Sequence, residues 1–142
     1  MNNITYLKQR TGQLNLLLKN LTPEEVLHQV LSEFSGHIAL SSSLSIEDQV
    51  LTDMIVSIVR KTSIFSLDTL RLFLETYSLI DKTSNHYGIH IDVFFPDYHE
   101  VQQLVKAEGI NLFYNGIEQR KACCSVRKLQ PLKRAFKDLD VW

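Results

Sequence analysis

The 142 residues predict one α/β domain: a parallel sheet flanked by helices. Three observations carry that prediction. Short apolar runs rich in branched and aromatic residues alternate with longer stretches of helical periodicity, the pattern of repeated strand–helix–strand units. Helix-start signals stand just ahead of several of those stretches. Hydrophobic residues make up 44% and charged residues 22% of the chain, a globular balance that argues against a disordered, fibrous or disulfide-stapled chain.

The first element is an amphipathic helix from Ile4 to Leu21, with Leu7, Leu14 and Leu18 at helical spacing and Leu17 and Leu21 beside them. Thr22-Pro23-Glu24-Glu25 combines a capping threonine, a first-turn proline and a capping-box glutamate, so a second helix runs to about Phe34. These elements make residues 1–36 an N-terminal helical segment ahead of the sheet-forming part, 37–142. His37 to Ser41 is a buried strand that enters a serine-rich turn. Ser45 to Asp48 repeats a capping pattern, followed by Val50, Leu51, Met54, Ile55 and Ile58 on one helical face.

The unit then recurs. Ser63 to Asp68 forms a strand, a helix runs from Leu72 to about His86, and Ile89 to Phe95 forms a third strand closed by Pro96. Tyr98 to Ala107 is a helix ended by Gly109, and Asn111 to Tyr114 is a short strand or extended loop. A last helix covers Ile117 to Leu129, where Pro131 imposes a kink or a new helix.

The net charge is −1, which offers no global field for nucleic acid or an anionic membrane. The charge is uneven, however. Arg120, Lys121, Arg127, Lys128, Lys133, Arg134 and Lys137 face only Glu118 between Ile117 and Lys137, about +6 in one segment. No apolar run reaches the roughly 20 residues a membrane helix needs. Met1 to Ile4 shows no leader pattern, which points to the cytoplasm.

In an open parallel sheet, ligands bind beyond the carboxyl ends of the strands, which directs attention to three places. Ser41-Ser42-Ser43-Leu44-Ser45 follows the first strand and opens a helix, where free amides and hydroxyls suit a phosphate or sulfate, or simply cap the helix. It lacks the glycines and lysine of a Walker loop. Asp68, Thr69 and Arg71 follow the second strand, where they can meet a ribose or a nucleotide anion or form an ordinary turn. In the last helix, i,i+4 spacing sets Arg127 over Cys123 and Lys128 over Cys124, and nearby cations favour the thiolate, the form that attacks electrophiles and binds soft metals. Bridging these sequence neighbours would be strained. None of the five histidines pairs with the cysteines at zinc-finger spacing. Asp92, Asp97 and Glu100 suit an ion or helix capping equally.

Together the three places resemble assimilatory adenylyl-sulfate reductase, within the wider phosphoadenylyl-sulfate reductase family. The matching residues are Ser42-Ser43-Leu44 with Glu47-Asp48-Gln49-Val50-Leu51, and Leu67-Asp68-Thr69 with Arg71-Leu72 and Glu75-Thr76-Tyr77. Phe113-Tyr114 through Arg120-Lys121-Ala122-Cys123-Cys124, Arg127-Lys128 and Pro131 to Ala135 complete the likeness, which covers about residues 37 to 142. The double cysteine followed by Arg-Lys marks the cluster-bearing branch.

The resemblance implies an adenine nucleotide alpha hydrolase-like fold and reduction of adenylyl sulfate to sulfite and AMP, with thioredoxin as electron donor, in sulfate assimilation towards cysteine. In that family a cysteine near the C-terminus attacks sulfur, AMP leaves, and thioredoxin releases sulfite from the enzyme thiosulfonate. Carried onto this chain, Cys123 and Cys124 become ligands of a [4Fe-4S] cluster, with Lys128 between cluster and sulfate and Arg127 nearby. Ser42 and Ser43 meet the phosphosulfate, and Asp68, Thr69 and Arg71 meet the nucleotide.

The sequence departs from the family at Leu70, where glycine is usual, and at Ser45-Ile46, where Gly-Ala is usual. A second cysteine pair, an arginine-rich loop and the nucleophilic cysteine are not in the chain. The expectation is a fragment truncated at the C-terminus and inactive alone, or else a non-catalytic adenine-nucleotide-binding module. A homo-oligomer whose copies each donate a cysteine pair is a further arrangement.

Overall fold

A computed structural model describes residues 3–142, without the side chains of Asn3, Ile4 and Leu7. The leader reading at Met1 and Asn2, and the contribution of Leu7 to its helix face, lie outside the described residues. Three parallel strands, β1 (Ala39–Ser41), β2 (Ser63–Leu67) and β3 (Ile91–Phe94), lie in the order β1-β2-β3. Leu40 is in register with Ile64, and Ile64 with Ile91. The strand period of two divides the core between the sheet's faces. Leu40, Ile64 and Ile91 point to one face and pack with Leu44, Val56, Leu79 and Ile80. Ala39, Phe65 and Phe94 point to the other and pack with Leu132, Ala135 and Phe136. Helices therefore cover both faces, as the alternation of strands and helices predicted.

Helices α1 (Asn3–Leu18) and α2 (Pro23–Glu33) precede the sheet. Thr22 and Glu25 form the full reciprocal capping box, and Arg10 holds α1 to Glu33 of α2. Helix α1 ends at Leu18, three residues short of the predicted Leu21; Leu14 and Leu18 are half-buried, while Leu17, and Leu21 in the turn beyond the helix, are exposed. Helix α3 (Ile46–Ile58) corrects the predicted stripe: Val50 and Leu51 are exposed, and Thr52 and Ile55 are the buried positions. Thr52 can turn inward because its hydroxyl donates to the Asp48 carbonyl, 2.7 Å away.

The third strand begins two residues later than predicted. Gly88, at φ +62°, ends α4 (Leu74–Tyr87), and the Ile89 amide donates back to Ser84, so the chain is still closing the helix there. Helix α5 (Tyr98–Glu108) starts on Asp97, whose carboxylate accepts from the His99 and Glu100 amides. Asp97 is thus a cap, and Asp92 meets His90 at 3.2 Å on the surface. Leu112–Tyr114 is a 3-10 turn rather than a strand or extended loop, pinned by the almost fully buried Leu112.

The last helical stretch is continuous but not uniform. α6 (Ile117–Cys124) passes into a π-helical turn (Ser125–Leu129), and α7 (Gln130–Ala135) completes it. Pro131 explains the widening. It has no amide proton, and its ring would collide with the Arg127 carbonyl in a regular α-turn. The Gln130 amide instead donates five residues back, to Ser125. Beyond α7, Asp140 and Val141 donate to the His37 carbonyl, and Ile38 pairs with Val141 in a parallel bridge.

Candidate functional site

Two cavities meet at the carboxyl ends of the strands, where the sheet rule placed a ligand. The first, about 390 Å³, is lined by Ser41, Ser42 and Ser43 after β1, by Ser66 and Thr69 at the end of β2, and by Asp48 and Lys128. The second, about 330 Å³, is lined by Thr69, Arg71, Phe113 and Arg120, by Cys123 and Cys124, and by Arg127 and Lys128. Thr69 and Lys128 belong to both, so they form the wall between the serine cleft and the cysteine cavity.

The serine cleft is built by a tight turn. Ser42 is buried, and its hydroxyl accepts from the Leu44 amide at 3.0 Å while Leu44 stands at φ +65°. That conformation costs a branched residue about 1–2 kcal/mol, and burial of the leucine against Ile64 and Ile91 offsets it. Ser43 donates its amide and hydroxyl to the Asp48 carboxylate, both at 2.6 Å. Ser45 stands at the N-cap of α3, but its side chain makes no cap bond, and Asp48 reaches back past it to Ser43. The Glu47 carboxyl is held below its usual range by hydrogen bonds from its own backbone amide and from Ser45. The loop thus carries its own carboxylate on the donors that the sequence reading assigned to an external anion.

The second loop uses the same turn. Asp68 is 2% exposed, and its Oδ1 accepts from the Leu70 amide at 2.6 Å with Leu70 at φ +59°. Its Oδ2 accepts from the Tyr77 hydroxyl at 2.8 Å. Asp68 lines neither cavity, whereas Thr69 lines both. Arg71 turns away from the serine cleft: it donates to the Ile110 carbonyl and to Asn111, and it stacks over Phe113 at 5.0 Å. It serves the cysteine cavity as one wall.

On α6, Cys123 is half-buried and Cys124 exposed, both as free thiols. Arg127 and Lys128 lie in the π-turn, and both line the cavity that holds the two cysteines. Arg127 is buried, and its guanidinium donates to the Thr69 carbonyl at 2.8 Å. Lys128 is exposed and forms no ion pair among the described residues. Three contributors were given no site role of their own in the sequence: Ser66 went unremarked, and Asp48 and Arg120 entered only within the matching motifs, Arg120 also in the basic segment. Arg120 sits three and four residues before the cysteines, a helical spacing that could have marked it. Ser66 and Asp48 gave only ordinary strand and cap signals.

A [4Fe-4S] cluster takes four thiolates. The chain contains two cysteines, and among the described residues no group of three or more His, Cys, Asp or Glu side chains could hold a metal ion. The donors present do not fit the whole cluster.

Residues 37–142 match the family described as the phosphoadenosine phosphosulfate reductase domain. The chain belongs to that family. It is 42% identical over 125 residues to a probable 5'-adenylylsulfate reductase of Oryza sativa, covering 88% of this chain and 26% of that protein. It is 38% identical over 130 residues to an adenosine 5'-phosphosulfate reductase of Burkholderia cepacia, covering 86% and 52%. The crystal structure of phosphoadenylyl-sulfate reductase from Candida auris, a phosphate complex, is similar with a TM-score of 0.74 and 26% identity, over 92% of this chain and 62% of that one. The chain therefore spans about half the length of its bacterial relative and about a quarter of the plant one. No helix among the described residues is long and apolar enough to cross a membrane.

Proposed function

We propose that these residues form the nucleotide-binding part of an adenylyl-sulfate reductase acting in sulfate assimilation. Adenylyl sulfate gives AMP and sulfite; the two electrons come from a thioredoxin dithiol, which becomes a disulfide and releases two protons. The observation that carries this reading is the shared wall. Thr69 and Lys128 separate a hydroxyl-lined cleft from a cavity holding two thiols and three arginines. A sulfonucleotide in the serine cleft would set its sulfate beside the Lys128 ammonium. That charge would stabilise the anion as the sulfur–oxygen bond to AMP breaks.

Within this reading, Ser42 and Ser43 receive the phosphosulfate, and Thr69 meets the nucleotide at the cavity wall. Asp48 would release the Ser43 donors as the anion enters. The cysteines hold the positions that cluster ligands occupy in the resemblance, so the attacking thiol comes from outside these 142 residues. Residues 37–142 carry the site, and no described residue of α1 or α2 lines either cavity.

Calorimetric titration with adenylyl sulfate and with AMP tests the proposal, followed by a sulfite-release assay with reduced thioredoxin. The expected result is nucleotide binding without turnover by the chain alone, and turnover once a polypeptide carrying the nucleophilic cysteine is added. Binding with no turnover under either condition would instead support a non-catalytic nucleotide module. Failure to bind either nucleotide would overturn both readings.

A further inference from the structure

Asp68 is the one predicted nucleotide ligand whose side chain the fold has turned inward. Its carboxylate is spent on both oxygens, one on the Leu70 amide and one on the Tyr77 hydroxyl. Its own amide is spent on the Phe94 carbonyl of β3 at 3.0 Å. The residue beside it, Thr69, borders both cavities, and the Thr69 carbonyl receives the buried guanidinium of Arg127. The loop is therefore clamped twice, by a carboxylate from below and by the cysteine-bearing helix from the side. The clamp must hold Leu70 in a left-handed conformation that a leucine with 47% exposure does not favour.

We infer that Asp68 and Tyr77 are a positioning pair that fixes Thr69 on the wall between the two cavities, and that the Asp68 carboxylate does not touch the nucleotide. This rests on the serine cleft being the nucleotide pocket. The physical argument is one of satisfaction. A buried carboxylate needs its partners, and Tyr77 is the side chain that occupies Oδ2. Without the phenol, Oδ2 is left poorly paired in a buried place, and the carboxylate reorients or draws in water. The Leu70 turn then loses its anchor, Thr69 leaves the wall, and Arg127 loses the carbonyl that holds it beside the cysteines. One hydroxyl thereby influences two sites, neither of which it contacts.

The test compares Tyr77→Phe, Asp68→Asn and Asp68→Ala with the unaltered chain by three measurements. These are AMP affinity, the thermal midpoint, and the nucleotide-free rate of cysteine alkylation by iodoacetamide, resolved by mass spectrometry. Asparagine can still accept from Leu70 and donate to the Tyr77 oxygen, so Asp68→Asn should retain AMP affinity within about threefold and the original alkylation rate. Tyr77→Phe should weaken AMP about tenfold and speed alkylation about threefold, with the thermal midpoint changed by only a few degrees. Asp68→Ala should behave like Tyr77→Phe or worse. If Asp68→Asn loses AMP while Tyr77→Phe keeps it, the carboxylate is a direct ligand and the inference falls. If the unaltered chain does not bind AMP, the nucleotide reading fails and the alkylation rates decide. Equal rates in all variants then overturn the positioning pair, and faster alkylation in Tyr77→Phe alongside an unchanged Asp68→Asn supports it.

Discussion

The loops after β1 and β2 are built on one plan and stabilised in opposite ways. In each, a side-chain oxygen accepts from the amide two residues on, and a leucine takes a left-handed conformation: Ser42 to Leu44 in the first, Asp68 to Leu70 in the second. Leu44 is 6% exposed and anchored in the core against Ile64 and Ile91, whereas Leu70 is 47% exposed. The first loop therefore offsets its backbone strain by burial. The second relies on a buried carboxylate, a tyrosine and the Arg127 clamp. Equivalent turns at neighbouring strand ends thus differ in what would break them.

The largest effect should come from removing the burial. Leu44→Gly relieves the left-handed strain but deletes a buried leucine side chain, so a net loss of about 3 kcal/mol is expected by urea denaturation. An unchanged midpoint would show that the first loop does not depend on the core. Arg127→Met, which keeps an unbranched apolar stem but removes the guanidinium that donates to Thr69, should cost about 2 kcal/mol. It should also raise proteolytic cleavage at residues 68–73 and leave the serine loop protected; equal cleavage of both loops would contradict the separate-clamp picture.

Lys128 belongs to both cavities and distinguishes them less. Lys128→Ala should weaken adenylyl sulfate about tenfold in calorimetry, with the difference shrinking as salt is raised, because the ammonium is exposed and screened. Leu70→Gly should do the reverse of Leu44→Gly and stabilise the chain by about 1 kcal/mol, since it relieves strain without losing core burial. Destabilisation would mean that the Leu70 side chain makes a contribution its exposure conceals.

The smallest expected effect is alkaline. The Tyr77 phenol is raised above its ordinary value, chiefly by its hydrogen bond to Asp68, then by desolvation and by the nearby carboxylate charge. A raised folded-state value means that this contribution is fully present below about pH 10 and is lost as pH rises through the folded value. Urea midpoints measured from pH 8 to 11 should fall less steeply in Tyr77→Phe. Tyr87, raised by desolvation and by Asp53, keeps a residual slope in that variant.

Much of the fold was legible in local signals. The Thr22 to Glu25 capping box, the Gly109 helix end and the branched strand runs each act over a few residues, where propensity and hydrogen-bond geometry decide the outcome. The strand ends failed where a neighbour competed for the backbone, as at Ile89, whose amide is spent on the helix before it. On α3, the periodicity identified an apolar stripe, but the choice between Val50 and Thr52 belonged to the sheet beneath. The candidate site divides in the same way. Its serines, Thr69 and the cysteine pair stood out by type and by position after strands or on a helix. Asp48, Ser66 and Arg120 gave weaker signals.

The sequence by itself determined the chemistry available: hydroxyls and amides at two strand ends, two thiols, and a basic helix carrying a proline that forbids a regular α-turn. Tertiary structure alone decided which of these groups face the two cavities. Packing of the π-turn against the second loop drove Arg127 into the interior and left Lys128 on the wall of both cavities. Burial of the strand end committed Asp68 to Leu70 and Tyr77. The physical reason is that side-chain periodicity sets a direction along one element, whereas the pairing of a buried polar group depends on partners far along the chain, here nine residues away at Tyr77 and fifty-eight between Thr69 and Arg127.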